Sequence, residues 1–183
     1  MYNYKYKYYY FTDQVNDEIK KKILNFKKIN IIFYNFINNQ INKLNLEKYN
    51  LIYKFCKKNK IPLYLTNDEK NLFKLKADGV FITSKYKKNI FNKNRIIIGL
   101  AHNQMEYYLK KKQGCKLIML SPLFFNPKYS SNKILNPVKF NLITKNWKTK
   151  ICALGGVNLT NINKIKLLND CNSVAFIRWK DKR

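Results

Sequence analysis

Short apolar, β-prone runs recur along the chain at Tyr8 to Thr12, Ile29 to Phe36, Pro62 to Leu65, Gly79 to Ile82, Ile96 to Gly99, Leu117 to Leu120, Lys150 to Leu154 and Ser173 to Ile177. Several, including Ile96-Ile97-Ile98 and Leu117-Ile118-Met119-Leu120, are apolar throughout, the signature of parallel strands covered on both faces. Between them lie stretches with helical spacing: Asp17 to Lys27, Leu46 to Lys58, Glu69 to Lys74, Asn103 to Lys112, Val138 to Asn146 and Asn161 to Leu168. Thr160 stands at the expected N-cap of the last, ahead of Ile162, Ile165 and Leu168 on one face.

Strand alternating with helix predicts a parallel α/β sheet. Eight such strands predict a (β/α)8 TIM barrel, and 183 residues are few for a fold that usually takes about 250. Some helices must therefore be short or missing, and the closing helix after strand 8 vestigial, because only Arg178 to Arg183 remain there. A doubly wound open sheet is the architectural alternative. Nothing divides the chain: it carries no repeat, no Pro/Gly/Ser linker and no charge block, so one domain over 1–183 is expected.

Composition changes this picture little. Hydrophobic residues make up 46%, enough for a core. The formal charge of +27 would ordinarily point to nucleic acid or an anionic surface. Yet only Arg95, Arg178 and Arg183 are arginine, and the lysine surplus accompanies abundant Asn, Ile, Tyr and Phe, all residue types with A/T-rich codons. Compositional drift explains the charge at least as well as selection for a polyanion does, and the arginines that read bases or clamp phosphates are nearly absent. Nucleic-acid binding is the least favoured reading. Cys56, Cys115, Cys152 and Cys171 form no C-x-x-C pair and His102 is the only histidine, so a zinc site lacks ligands. Free cysteines among apolar neighbours, no signal-like N-terminus and no long apolar span predict a soluble cytoplasmic protein without a membrane partner.

Chemistry in such barrels gathers at the loops after the C-terminal strand ends, with a phosphate site after strands 7 and 8. Strand 7 runs into Gly155-Gly156-Val157, where two adjacent glycines admit an anion close to the backbone and the following helix start adds positive potential. The bland alternative is a tight turn. The loop after strand 6, Ser121 to Lys133, has the length of a binding loop, or is simply a solvated surface. Asp68, after strand 3, suits Mg²⁺, the amine of a ring, or a helix N-cap. His102, after strand 5, suits ligand contact or acid–base work, or a structural role.

Several of these stretches, in this order, resemble the thiamine-phosphate synthase family and its thiazole-tautomerase relatives. Lys76-Ala77-Asp78-Gly79-Val80 is similar to the family's A-D-G-V-H-L, Ile98-Gly99-Leu100-Ala101-His102 to its I-G-x-S-x-H, and Ser121-Pro122-Leu123-Phe124 to its G/S-P-V-F. Tyr10-Phe11-Thr12-Asp13, Ala153-Leu154-Gly155-Gly156-Val157 and Val174-Ala175 resemble its motifs on strands 1, 7 and 8. The resemblance implies a transferase in which a pyrimidine diphosphate loses diphosphate with Mg²⁺ help and thiazole phosphate captures the carbocation. It places the phosphate at Gly155, Gly156 and Ser173, the substrates along Asn67, His102, Ser121 and Asn126, and catalysis at Asp68, also the metal ligand, and Lys128. The implied partner is a small phosphorylated substrate.

The departures fall unevenly. The family's Q-x-R-x-K on strand 2 reads Ile32, Tyr34 and Phe36. The second metal-side aspartate is Tyr86, the serine before the histidine is Ala101, and the T-x-T-K loop reads Asn126-Pro127-Lys128-Tyr129, with Lys128 or Lys133 left to compensate. The strand-6 histidine of some tautomerases aligns with Pro122. Groups that would stabilise a leaving diphosphate are mostly gone, whereas the monophosphate side survives. A bulky residue at Gly156 is expected to remove phosphate affinity and spare the fold.

Overall fold

A computed structural model describes residues 6–34, 43–88, 94–125, 130, 133–158 and 160–177. Eight parallel strands close into a barrel in sequence order: β1 (Lys7–Thr12), β2 (Ile29–Phe33), β3 (Leu63–Thr66), β4 (Gly79–Ile82), β5 (Ile96–Ala101), β6 (Leu117–Leu120), β7 (Lys150–Leu154) and β8 (Cys171–Phe176). Closure is explicit in the register, since β1 pairs with both β2 and β8, for example Tyr10 with Ile31 and with Phe176. The open doubly wound sheet is thereby excluded.

Strand alternation sorts the core into two compartments. Tyr9 and Phe11 of β1 join Ile32, Tyr64, Phe81, Ile98, Met119, Cys152 and Leu154, all carried by strands, and these fill the lumen. Tyr8 and Tyr10 face outward and pack with Ile23 and Phe26. The runs that are apolar throughout are therefore strands buried on both sides. Each fully buried Ile, Leu or Phe contributes about 1.5–3 kcal/mol, so the two compartments supply the driving force for closure.

Among the described residues four α-helices lie outside: α1 (Asp17–Leu24), α2 (Lys43–Lys58), α3 (Gln104–Lys112) and α4 (Asn136–Thr144). Asn16 caps α1, accepting from Ile19 N at 2.8 Å, and Asn103 caps α3, accepting from Glu106 N at 2.9 Å. α1 stops at Leu24, not Lys27, because Phe26 turns inward, its ring 4.8 Å from that of Tyr8. Short and missing helices are what the residue count demanded. The β3–β4 connection winds through turns with no helix over Glu69 to Lys74, ending at Lys76 with φ +54. Too few residues lie there to repay helix nucleation. The segment after β7 forms only a 3-10 helix, Ile162–Leu167. Its N-cap position is Asn161, not Thr160, so the helix-terminus contribution expected after the glycines falls away. Positions 178–183, where a vestigial last helix was expected, lie outside the described residues.

Candidate functional site at the barrel mouth

The C-terminal strand ends bring together Gly155, Ser121 and His102. His102 Nδ1 lies 2.7 Å from Ser121 O. A carbonyl only accepts, so Nδ1 carries the proton in this contact. The backbone on the other side is held by Glu106, whose Oε2 accepts from His102 N at 2.7 Å. The α3 cap thus sets the histidine's position. Ser121 is buried and precedes Pro122 through a cis peptide.

The twin-glycine bend packs on this serine and the loop that follows it. Gly155 and Gly156 adopt φ of +93° and +70°, the region that glycine enters without steric cost. A Cβ on Gly155 would sit 2.7 Å from Ser121 Oγ, and one on Gly156 only 2.5 Å from both Phe124 O and Phe125 O. Those obstructions at Gly156 are backbone atoms. The expectation that a bulky residue there would spare the fold is corrected accordingly: the bend and the β6 loop occupy each other's space. Leu123 N and Phe124 N donate to Leu154 O and Gly155 O at 2.9 and 3.0 Å, which prolongs the β6–β7 ladder into the mouth.

Ser173 is not brought to that bend. β8 starts at Cys171, two residues earlier than the pattern predicts, and an irregularity beside Ile151 and Cys152 sets Ser173 opposite Cys152 and Lys7. It therefore lies toward the opposite end of the barrel, with Ala175, not Ser173, level with Leu154.

Across the mouth, Asn67 (φ +53) closes the ends of β3 and β4 onto each other. Its Oδ1 accepts from Thr83 N at 2.9 Å and its Nδ2 donates to Thr83 Oγ1 at 3.1 Å. Asp68 takes Asn71 Nδ2 on both carboxylate oxygens, at 3.0 and 2.9 Å, an Asx-like cap without a helix behind it. The neighbouring Glu69 is engaged by Tyr86, whose hydroxyl donates to Oε1 at 2.9 Å, while Oε2 is shielded from solvent and has no donor. Burial, that hydrogen bond and the charges of Glu69 and Asp68 push the Tyr86 phenol up to about 12.

Lys110 of α3 is fully buried and donates to Tyr86 O at 2.8 Å and to Gln113 Oε1 at 3.1 Å. Burial holds its ammonium below the usual lysine range. Gln113 Nε2 adds bonds to Tyr86 O and Lys88 O, so the irregular loop after β4 is clamped from behind.

Between these two corners the lumen ends in Phe11, Tyr34, Phe81, Leu100 and Leu154. Phe11 meets Phe81 edge-on at 5.0 Å and Tyr34 at 6.0 Å. Of the positions aligned with the family's strand-2 signature, Ile32 and Tyr34 are part of this apolar layer. Phe36, Asn126 and Lys128 lie outside the described residues, and Lys133 is exposed. Among the described residues no three His, Cys, Asp or Glu side chains gather as a metal cluster, and no helix is long and apolar enough to cross a membrane.

Sequence reasoning missed the Glu69–Tyr86 pair, the Lys110–Gln113 clamp and the role of Asn161 at the bend. A buried lysine leaves no local signal, and one asparagine is inconspicuous in an asparagine-rich chain.

A compact (β/α)8 barrel carries a twin-glycine bend after β7, set against a histidine and a serine at the ends of β5 and β6, the strand ends where such barrels gather their functional groups. The profile of the family described as Thiamine monophosphate synthase matches residues 24–179, and the chain belongs to that family. A thiamine-phosphate synthase of Prochlorococcus marinus is 28% identical over 132 residues, covering 69% of this chain and 34% of that protein. The chain therefore spans about a third of that relative's length. Among solved structures, the thiamine phosphate pyrophosphorylase of Pyrococcus furiosus superposes with a TM-score of 0.71 at 17% identity, over 94% of this chain and 86% of that one. The enzyme of that name from Bacteroides thetaiotaomicron gives 0.60 at 12% identity, over 94% and 82%. These two likenesses speak for the fold.

Proposed function

We propose that the chain acts in thiamine biosynthesis as a thiamine-phosphate synthase type of transferase. It holds thiazole phosphate at the Gly155–Gly156 bend and joins its ring nitrogen to a pyrimidine methylene. In that reaction the C–O bond to diphosphate breaks, diphosphate leaves with the bonding electrons, and the nitrogen lone pair forms the new C–N bond. The observation that carries the reading is the bend itself, two glycines at positive φ at the strand ends beside Ser121, with the Gly156 and Val157 N–H groups given no acceptor among the described residues.

His102, its ring anchored by Nδ1–H on the Ser121 carbonyl, stands at the strand end where the ligand is held. The apolar layer of Phe11, Tyr34 and Phe81 seats the heterocycles and excludes water. The family resemblance assigns catalysis to Lys128 and substrate binding to Asn126, both outside the described residues. Asp68 would hold Mg²⁺ with Glu69 beside it. Mg²⁺ is commonly bound by one or two carboxylates together with substrate phosphates, and the donorless Glu69 Oε2 suits a cation. A metal held there would supply charge neutralisation for the departing diphosphate.

A second reading is a barrel that binds the monophosphate, or acts in a tautomerase-like way, without transfer. It is favoured by the Asn67 amide being occupied by Thr83 and by Tyr86 standing where a carboxylate would serve the metal. Supplying both substrates with Mg²⁺ and measuring thiamine phosphate decides between them. Product formation supports the transferase, and thiazole phosphate binding without product selects the second reading.

A further inference from the structure

We propose that Asn161 is a positioning residue for the anion-facing amides of the glycine bend; this rests on the phosphate reading above. In a planar trans peptide, a carbonyl and the following N–H point to opposite sides. The Gly155 carbonyl is taken by Phe124 N at 3.0 Å, so the Gly156 N–H is directed away from the β6 loop. The Gly156 carbonyl is taken by Asn161 Nδ2 at 2.8 Å, so the Val157 N–H is directed away from Asn161. Among the described residues no acceptor takes either amide hydrogen. Two adjacent donors with fixed direction and no partner are what an oxyanion requires.

The asparagine is itself locked. Asn158 N donates to Asn161 Oδ1 at 2.9 Å, and Asn158 Oδ1 accepts from Thr160 N at 2.9 Å and Asn161 N at 3.2 Å. Asn158 Nδ2 adds a longer contact to Gly156 O at 3.4 Å. With a glycine on the bend, nothing in its own side chain restrains the Gly156–Val157 peptide. A flip would turn the Val157 N–H away and direct a carbonyl oxygen toward the anion. Asn161 forecloses that flip from outside the site.

The test uses the full chain labelled with ¹⁵N-glycine, whose five glycines give few resonances. Gly155 and Gly156 are identified by ¹³C-carbonyl labelling of leucine and glycine, because Leu-Gly and Gly-Gly each occur once. Inorganic phosphate and thiazole phosphate are titrated into the wild type, Asn161→Ala and Asn161→Asp. The aspartate keeps the acceptor for Asn158 N and lacks the donor to Gly156 O. We expect saturable shifts of Gly156 in the wild type and at least tenfold weaker binding in both variants. The Gly156 resonance should already be displaced without ligand, with Gly79, Gly99 and Gly114 unmoved. Loss that persists at 0.5 M salt separates peptide orientation from charge repulsion by the aspartate. A wild type that binds and variants that bind equally well, or an aspartate that recovers fully in salt, overturns the inference. A wild type with no phosphate-induced shift removes the phosphate reading and this inference with it.

Discussion

Replacing Gly156 by alanine tests the bend at its tightest point, and the structure supplies the magnitude. At φ +70° an L residue pays about 1–2 kcal/mol for left-handed backbone. Its Cβ would also meet the Phe124 and Phe125 carbonyl oxygens at 2.5 Å and the Phe124 carbonyl carbon at 2.7 Å, so the two loops must separate. Overpacking of that kind costs about 1–3 kcal/mol, giving about 2–5 kcal/mol in total. Gly114 is the control. It shares a positive φ, +81°, but its added Cβ would find nothing nearer than Ile97 Cδ1 at 3.9 Å. Gly114→Ala therefore carries the backbone cost alone, and the difference between the variants isolates the steric part. Urea unfolding of both, with unchanged m-values, gives the comparison. If Gly156→Ala costs no more than Gly114→Ala, the bend is not wedged against the β6 loop, and the reasoning from its close contacts fails.

Two other outcomes follow from the opposite corner and the core. Tyr86→Phe leaves Glu69 Oε1 without its donor beside an Oε2 that already lacks one, and should destabilise by about 1–3 kcal/mol; a change within 0.3 kcal/mol would show that solvent reaches the carboxylate. Burial pushes the thiols of Cys56 and Cys115 up to about 12 from an ordinary 9.0. The unfolded chain releases those protons first, so this stability is complete below pH about 9 and is lost as pH rises toward 12. Lys110, shifted downward, binds fewer protons folded than unfolded below its ordinary 10.5 and acts in the opposite sense. The melting temperature should thus fall between pH 9 and 11, more steeply in Lys110→Met; a flat profile in both proteins contradicts this.

The barrel was legible because its strands are buried on both faces, which writes continuous apolar runs into the sequence. β4, β6 and β7 fall at the expected residues. Their ends were less legible where tertiary contacts decide them. β2 stops at Phe33 instead of Phe36, and β8 begins at Cys171 instead of Ser173, which moves Ser173 off the mouth. The His102–Ser121–Gly155 corner could be anticipated from strand-end positions alone. What those side chains bond to could not: the Asn67 amide faces Thr83, sixteen residues away, and Tyr86 meets Glu69 only once β3 and β4 pair. Asn161 acts through a carbonyl five residues back, a contact that the expected α-helix start would not have made.

Calorimetric titration of the full chain addresses the central claim, that the glycine bend at the barrel mouth seats a phosphate monoester. Thiazole phosphate should bind at a single site without added metal, and the pyrimidine diphosphate should bind more weakly and only with Mg²⁺. No heat from thiazole phosphate would contradict it, and equal Mg²⁺-dependent affinity for the diphosphate would overturn the asymmetry between the monophosphate and diphosphate sides.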